Sequence, residues 1–562
     1  MAAARIRRVA QVQQRRAEKQ QQRRLRKKKA EARRRRGRPK QKRYYAKSQF
    51  SLKRLRKLLN NIEIVIIVAV PDEPFTKGPE RMYSYYQFQP LEIRLNPDGT
   101  LKGGILTFTF AWMDWSFVRL LVAPFYKTSD EGGYLWDPVT LFLLDLVRVL
   151  LHFSSRDKLL DELRKETPLG REIATFVGID LDSPKDPAHK VPSEMAFTHF
   201  RNRIGPVVYE AVFHIMVGLL RQLDIITFRV LAFDSMLVET WATFYGCEKA
   251  GQAGHGCQQC LLFSQCERVP YDLEGGVGHR RSKEDPNKVE ALYSYKVHSG
   301  VSFEVKLGME FPVVLLVTPG QVYDGHFFQA LLEQIERYHS QVKAVFHIAD
   351  GHYDDFKNYI AARRRGARPI FHYNKRNEKT DQERLEERGY NELGWPYAPC
   401  GIVMHPNGYD EGDKRLKFIC RKECPEGHKD CPFHANAVGC VKNVLVTEDS
   451  RLVLEIPRGT RRYKIIFALR SSVERNNGYF ADNGLSRPKY HGLHNMQLNA
   501  LLTGIATLLH KLYDLIEEAS QQEAEPERYP TLDLWNLPLE KAIRERWKHF
   551  HEEDELLAFP DG

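Results

Sequence analysis

The sequence predicts an α/β core built on a mixed sheet, joined to a helical N-terminal region and a cysteine-rich insertion. Three observations predict it. Apolar runs alternate with amphipathic stretches over residues 226–375, helix signals dominate residues 137–223, and all nine cysteines fall into two clusters. A chain of 562 residues, 42% of them hydrophobic, is also long enough for several domains.

The N-terminus is strongly basic. Residues 1–43 carry 20 Lys and Arg against two acids, a net of +18, whereas the other residues sum to −5 of the chain's +13. We expect a disordered arm over residues 1–50 that binds DNA through salt-dependent phosphate contacts. Arg36 and Arg38, in an Arg-Gly-Arg-Pro run, are similar to the core of an AT-hook that enters the minor groove, although a plain solvated arm is the favoured interpretation.

Nothing in the sequence predicts a membrane segment. The longest apolar runs, near residues 62–70 and 141–151, fall short of the ~18 residues that cross a bilayer. The basic N-terminus develops no apolar stretch typical of a secretory signal. We therefore expect a soluble, cytoplasmic protein with no membrane partner.

Residues 51–225 are predicted to be mostly helical. Residues 60–125 show short strand-like and aromatic-rich segments. Asp137-Pro138 is an N-cap followed by proline at the first helical position, and it predicts a helix up to Phe153. Further helices are predicted near residues 159–164 and 207–223. This region either reads DNA or simply packs as a bundle on the next domain, and the two interpretations stay open.

The predicted core alternates strands with helices. Its order is β-β-β-α-β-α-β, followed by a later helix containing Glu474, which is the element order of the ribonuclease-H-like fold. The strands are predicted at residues 226–233, 294–303, 313–317, 342–348 and 369–373, and the helices between them at 325–338 and 356–365. The core would comprise residues 226–375 and 441–515, with the insertion at 376–440 and a helical tail at 516–562.

Two aspartates end strands that this fold places side by side. Asp234 follows the first strand and Asp350 follows the fourth. Carboxylates that converge on Mg²⁺ or Mn²⁺ are what two-metal phosphoryl transfer requires. An ordinary turn acid is the alternative for either residue alone, but two acids at matched positions favour a catalytic site.

Five segments in this order make the chain recognisable: VLAFDSMLVET, YSYKVHSG, VTPGQVYDG, HIADGHYD and LRSSVERNNGYF. The sequence resembles the DDE transposases of bacterial insertion sequences, in the group with an insertion before the last acid. The resemblance covers roughly residues 135–515. It implies that Asp234, Asp350 and Glu474 are the catalytic triad and that they hold Mg²⁺ or Mn²⁺.

The signature around Glu474 is incomplete. Arg470, four residues before Glu474, matches the family's phosphate-gripping arginine, and an ordinary i,i+4 salt bridge is the alternative. Phe467 stands where a tyrosine is usual. The trailing basic residue is displaced, and Arg487 and Lys489 are the later candidates for DNA binding.

The resemblance implies a transposase that binds element ends, hydrolyses a phosphodiester and joins the 3′-OH to target DNA. Its partner would be double-stranded DNA, and a homodimer would form in the DNA complex because two ends are cut together. A domesticated DNA-binding protein without cutting activity and another ribonuclease-H-like nuclease are the rival hypotheses. The intact acids disfavour the first, and the helical region and insertion disfavour the second.

Other polar residues accompany the acids. Lys296 and His298 share one strand face and are candidates for DNA or metal contact, although half-exposed strand polars are commoner. Asp324 is predicted to be the N-cap of the helix that follows it. His352 and Tyr353 are candidates for supporting Asp350.

The cysteines predict metal sites, because disulfides are rare inside cells and close spacing favours thiolate ligands. In the first cluster zinc is favoured over an iron–sulfur cluster and over free thiols. In the second cluster a structural zinc would hold the small insertion together. The candidate ligands are Cys247, Cys257, Cys260 and Cys266 in the first cluster, and Cys400, Cys420, Cys424 and Cys431 in the second.

Overall fold

The structure is a computed structural model. It describes residues 45–46, 79–126, 135–182, 186–240, 272–281, 288–378, 384–421, 431–433, 436–486, 488, 490–524, 531–532, 534, 536–549 and 551. The predicted N-terminal arm, with Arg36 and Arg38, lies outside these residues.

In the described part of the chain, six helices precede the sheet. They are α1 (Gly104–Trp112), α2 (Phe117–Val122), α3 (Pro138–Leu150), α4 (Arg156–Arg164), α5 (Pro168–Val177) and α6 (Glu194–Gln222). The Asp137 side chain accepts a hydrogen bond from the Val139 amide at the start of α3, which confirms the predicted cap. The expectation of short strands over residues 60–125 is wrong for residues 104–122, most of which lie in α1 and α2; the described residues before them contain isolated β-bridges at Met82, Leu95 and Leu101. The apolar residues of α1 and α2 pack in the main hydrophobic core, where burial outweighs local strand preference.

The longest of these helices, α6, bends where Gly205, at φ +63°, precedes Pro206. By length and composition α6 is long and apolar enough to cross a membrane, and 56% of its most apolar 18-residue stretch is buried inside the protein. Among the described residues, α1 and the Phe117–Phe125 segment qualify only if the pair, bent by 71°, is counted as one span. Buried Arg201 pairs with Asp145 of α3, a contact typical of a core helix.

A six-stranded mixed sheet follows. Its strands are β1 (Val230–Glu239), β2 (Gly276–Arg281), β3 (Val289–Glu304), β4 (Met309–Pro319), β5 (Phe346–Ala349) and β6 (Arg368–Phe371). The order is β2-β3-β1-β5-β6, and β4 pairs with β3. Strands β1 to β4 pair antiparallel through β3, whereas β5 lies parallel to both β1 and β6. The predicted strands are all present, and β2 is an additional strand.

Helices cover this sheet and complete the main core. They are α7 (Phe328–Tyr338), α8 (Phe356–Arg364), α9 (Arg461–Phe467), α10 (Ser471–Phe480), α11 (Leu493–Ala524) and α12 (Leu539–Lys548). The 32-residue α11 packs against α6 and β4, and so joins the N-terminal helices to the sheet. A two-residue parallel pairing also joins Tyr45–Ala46 to Thr531–Leu532.

A second, smaller sheet lies between β6 and α9. Its three antiparallel strands are β7 (His405–Asp410), β8 (Arg415–Ile419) and β9 (Val441–Leu445), in the order β9-β8-β7. This sheet has its own hydrophobic cluster, which includes Trp395 and Phe418. The small core is therefore separate from the main one.

Candidate active site

The strand register brings two aspartates together. Strands β1 and β5 are parallel, with Phe233 opposite Ala349, so Asp234 and Asp350 follow directly on neighbouring strands. Asp234 lies within β1, whereas the predicted strand ended just before it. Both side chains remain partly accessible, at 19% for Asp234 and 26% for Asp350. The edge of the sheet therefore presents two adjacent carboxylates to solvent.

Helix α10 carries Glu474, which an arginine connects to Asp234. Arg470 Nη2 donates to Glu474 Oε1 at 2.6 Å, and Arg470 Nη1 lies 3.9 Å from Asp234 Oδ2. Asn477, one turn beyond Glu474, accepts a hydrogen bond from Ser299, which is the partner of Asp234 in the β1–β3 register. The helix thus lies over the strands that carry the aspartate.

The neighbourhood opposes ionisation of Asp234. Burial raises the pKa of Asp234, the charge of Asp350 adds to the effect, and the value reaches about 7. The Ser235 amide donates to Asp234 at 2.8 Å, and Arg470 also favours the charged form, but both are outweighed. A carboxylate in this state gains from a nearby cation, which would stabilise its ionised form.

Asp350 has the opposite balance. Although burial alone would raise its pKa, His352 donates to it from the backbone amide and from Nδ1, both at 2.9 Å, and holds the pKa below its ordinary value. The same hydrogen bond raises the pKa of His352. His352 therefore contacts Asp350 directly, while Tyr353 is fully buried beneath it.

Asp324 belongs to the same acidic neighbourhood, although the sequence predicted it to be a helix N-cap. Its carboxylate lies 2.8 Å from Lys296 Nζ, and no cap hydrogen bond is made at the start of α7. The prediction is wrong because Lys296 takes up the side chain. Asp324 also contributes to the raised pKa of Asp234. We call Asp234, Asp350, Asp324 and Glu474 the acidic edge.

The structure also corrects the expectation for His298. Its side chain is fully buried, Nε2 lies 2.9 Å from Thr318 Oγ1, and burial lowers its pKa to about 4. A buried, neutral imidazole presents no charge to DNA, so His298 is a core residue here. Lys296 shares its strand face and is 15% exposed, turned toward Asp324.

Phe467, at the place of the usual tyrosine, stacks on Tyr463 at 5.6 Å between ring centroids. The Tyr463 hydroxyl donates to the Phe371 carbonyl inside the core, so it does not replace the missing hydroxyl. Arg487 and Lys489, the predicted trailing basic residues, lie outside the described residues.

Four described cysteines lie close together at one end of the small sheet. Cys440 donates its amide to Cys420 Sγ at 3.1 Å. Burial raises the pKa of Cys440, and the thiols of Cys420, Cys431 and Cys400 raise it further. Cys440 thus joins the set in which Cys424 was expected. Cys424 and the whole first cluster (Cys247, Cys257, Cys260 and Cys266) lie outside the described residues.

No group of three or more His, Cys, Asp or Glu side chains is arranged to hold a metal ion, as far as the described ranges go. At the acidic edge Glu474 is engaged by Arg470, which stands between it and Asp234. The donor chemistry still fits a hard divalent cation, because the carboxylates of Asp350 and Asp324 act on an aspartate whose pKa burial and this like charge raise to about 7.

Comparison with known proteins gives one family. Residues 229–509, half of the chain, match the family model described as "Transposase DDE domain". The matched range runs from the start of β1 into α11 and contains all three acids. No curated protein matched the chain.

Proposed function

We propose that the chain, which belongs to the family of transposases with a DDE domain, cuts DNA at element ends and joins the freed 3′-OH to target DNA. The observation that carries this proposal is the pairing of Asp234 with Asp350 on adjacent parallel strands, with Arg470 spanning Asp234 and Glu474. The strand order supports a ribonuclease-H-like core, in which such a pair marks the catalytic edge.

Asp234, Asp350 and Glu474 would hold Mg²⁺ or Mn²⁺. When bound, the two ions supply Lewis-acid chemistry, activating the attacking hydroxyl and stabilising the leaving oxygen. Asp234 would bind in its ionised form, which its raised pKa disfavours without a cation. Glu474 would complete the set once Arg470 turns from it toward a phosphate oxygen, for which a guanidinium is well suited.

The chain's own residues would orient the reaction. His352 holds Asp350 ionised through two hydrogen bonds, which fixes the direction of that carboxylate. Lys296 holds Asp324 beside the pair and limits the repulsion that reaches Asp234. The basic arm of residues 1–43 would add DNA affinity that weakens with salt. A homodimer in the DNA complex would bring two ends together.

We also propose that the small sheet is a cysteine-rich insertion held by zinc. Its support is that the thiols of Cys400, Cys420 and Cys431 act on the charge of the Cys440 thiol, although the four side chains, as they lie in the described structure, do not form a metal-binding group. Thiolates are the ligands that structural Zn²⁺ prefers, and such a site stabilises a small core that could not fold well alone. This zinc would be structural and would take no part in the cleavage reaction.

The test is strand cleavage by the full chain. The substrate is DNA containing the inverted repeats that flank the coding region, incubated with Mg²⁺ or Mn²⁺. Asp234→Asn is expected to reduce cleavage by at least a thousandfold while DNA binding stays within about twofold, because the carboxylate holds metal rather than DNA.

Asp355→Asn is the matched control. Asp355 lies five residues from Asp350 and caps α8, a role that asparagine also fills. It should cleave like the unchanged protein. Nicking by Asp234→Asn at the normal rate, or no metal-dependent cleavage by the unchanged chain, would contradict the proposal.

A further inference from the structure

A cavity of about 650 Å³ lies where the N-terminal helices meet the turn after α10. Its lining includes Arg148 at the end of α3, Arg156 at the start of α4, and Tyr490 just before α11. Arg201 of α6 lies behind this lining and is only 1% exposed. We call these three arginines and Tyr490, with the space they enclose, the arginine cavity.

The three guanidinium groups crowd around one aromatic ring. Their central carbons lie 4.9 Å (Arg201), 5.3 Å (Arg156) and 5.8 Å (Arg148) from the Tyr490 ring centroid. Arg148 and Arg201 also donate to the same side-chain oxygen of Asn499. The arginines are therefore held in place by contacts that do not neutralise them.

One buried carboxylate faces all three charges. Arg201 Nε donates to Asp145 Oδ2 at 2.6 Å, whereas Arg148 and Arg156 stand 3.8 and 3.9 Å from Oδ1, beyond hydrogen-bond distance. Tyr209 donates to Asp145 as well. The carboxylate is fully buried, and its pKa lies below the ordinary value because the arginines outweigh its burial.

The buried part of the site therefore holds more positive than negative charge. Within the described residues, Arg148 Nε and Arg201 Nη1 are buried without a hydrogen-bond acceptor, and so is Asp145 Oδ1 without a donor, 3.8 Å from Arg148 Nε; three guanidinium groups thus share one carboxylate. The other carboxylates of the lining, Glu194 and Asp482, lie at the exposed rim. Buried cations are costly unless an anion pairs with them, so the arrangement suits an incoming anion.

The pKa of Tyr490 reflects the same excess of positive charge. Burial would raise the pKa of a tyrosine, yet the pKa of Tyr490 is lowered, because Arg148, Arg201 and Arg156 outweigh the burial. The neutral hydroxyl lies 3.4 Å from Arg156 Nε, so it can turn its proton toward the cavity. A positive interior with one hydroxyl donor matches the oxygens of a phosphate.

We propose that the arginine cavity binds a backbone phosphate of DNA close to the cutting site. This inference rests on the proposed function. The turn that contains Asp482 continues α10, so it lies roughly 12 Å from Glu474 along the helix at about 1.5 Å per residue. A DNA strand carries a phosphate about every 3.4 Å of axis, which places the bound phosphate a few nucleotides from the scissile one.

The first test measures binding of a duplex oligonucleotide to the full chain in EDTA over a range of salt concentrations. Arg156→Gln and Arg148→Gln should each weaken binding about tenfold and reduce the slope of log affinity against log salt by about 0.9, the value for one lost phosphate contact. Arg156→Lys should keep most of the slope. Arg164→Gln is the control, because Arg164 lies on the same helix, exposed and outside the cavity.

The second test adds inorganic phosphate, with chloride at equal ionic strength as reference. Phosphate should raise the melting temperature of the unchanged chain and of Arg164→Gln, and not that of Arg156→Gln. Should Arg156→Gln fail to fold, the phosphate response of the unchanged chain and the salt slope of Arg148→Gln decide the question.

Equal salt slopes in all variants, together with no phosphate stabilisation, would overturn the inference while leaving the proposed function intact. Failure of the unchanged chain to bind any duplex DNA would instead overturn the proposed function.

Discussion

The acidic edge and the arginine cavity both concentrate charge of one sign in a partly buried region, negative charge in the first and positive charge in the second. At the acidic edge, four carboxylates are accompanied by Arg470, Lys296 and the imidazole of His352. In the arginine cavity, three guanidinium groups face one buried carboxylate, Asp145. The first region has too few cations and the second too few anions. Both are costly for a folded chain that has no bound partner.

Their positions explain why the chain tolerates both. Glu474 lies in the first turn of α10, and the turn after this helix lines the arginine cavity. One helix therefore carries an acidic site at its start and a basic site beyond its end. A DNA strand with divalent ions supplies the missing charge to each, because the cations complement the carboxylates and a phosphate complements the arginines.

The strongest way to break the comparison is to remove the charge of Asp145, the buried carboxylate that the three arginines face. Asp145→Asn should lower the free energy of unfolding by about 3–5 kcal/mol, because three buried arginines would then face no carboxylate. Urea unfolding measures this change. Inorganic phosphate should restore part of the lost stability.

Asp161→Asn provides the control, since Asp161 pairs with Lys165 on the exposed side of α4. This substitution should lower the free energy of unfolding by less than about 1 kcal/mol. If Asp145→Asn costs no more than this control, the excess of positive charge is neutralised by some other part of the chain, and the comparison fails.

The acidic edge can be tested through pH. The pKa of Asp234 is raised from 3.8 to about 7, so in the folded chain its protonated form is favoured. The stability that Asp234 contributes is fully present below pH 4, where the side chain is protonated in both the folded and the unfolded chain. It is lost as the pH rises through 7, because the unfolded chain releases this proton more readily. Between pH 4 and pH 7 in EDTA, the free energy of unfolding of the unchanged chain should therefore fall by on the order of 2–4 kcal/mol relative to that of Asp234→Asn.

Mg²⁺ or Mn²⁺ should flatten that difference, because a divalent cation favours the ionised carboxylate. Calorimetric melting of both proteins between pH 4 and 8 measures it, and using their difference removes the contribution of the buried histidines. A difference that stays constant with pH in EDTA would mean that Asp234 is already ionised and that other groups neutralise the acidic edge.

The sequence predicted those parts of the fold that depend on local pattern. The five core strands and the α3 cap at Asp137 follow from apolar runs and from the Asp-Pro pair, which act within a few residues. It did not predict β2, whose sequence GVGHRR has no apolar alternation and which is held by pairing with β3. The helices α1 and α2 were missed because their aromatic residues locally favour strands, whereas in the fold they are helical and pack in the main hydrophobic core.

Individual side-chain roles were harder to predict than their positions. Asp234 and Asp350 could be placed because strand order alone makes them neighbours. Asp324 was predicted as a cap because it precedes a helix, and nothing local reveals that Lys296 takes its carboxylate. The arginine cavity joins Arg148 to Tyr490 across more than 300 residues, so no sequence window contains it.

The smallest expected change in stability concerns Arg470, one of the cationic side chains that accompany the acidic edge. Its contact with Glu474 is an i,i+4 pair in which the glutamate is 52% exposed, so Arg470→Gln should change the free energy of unfolding by less than about 1 kcal/mol. If Arg470 binds phosphate during the reaction, cleavage should nevertheless fall at least tenfold, which corresponds to the roughly 1.5–3 kcal/mol of a hydrogen bond to a charged group.

Arg475→Gln is the matched control, because Arg475 contacts Glu310, which also pairs with Lys511. Normal cleavage by Arg470→Gln would reduce Arg470 to a surface ion pair and leave the acidic edge to depend on divalent ions alone.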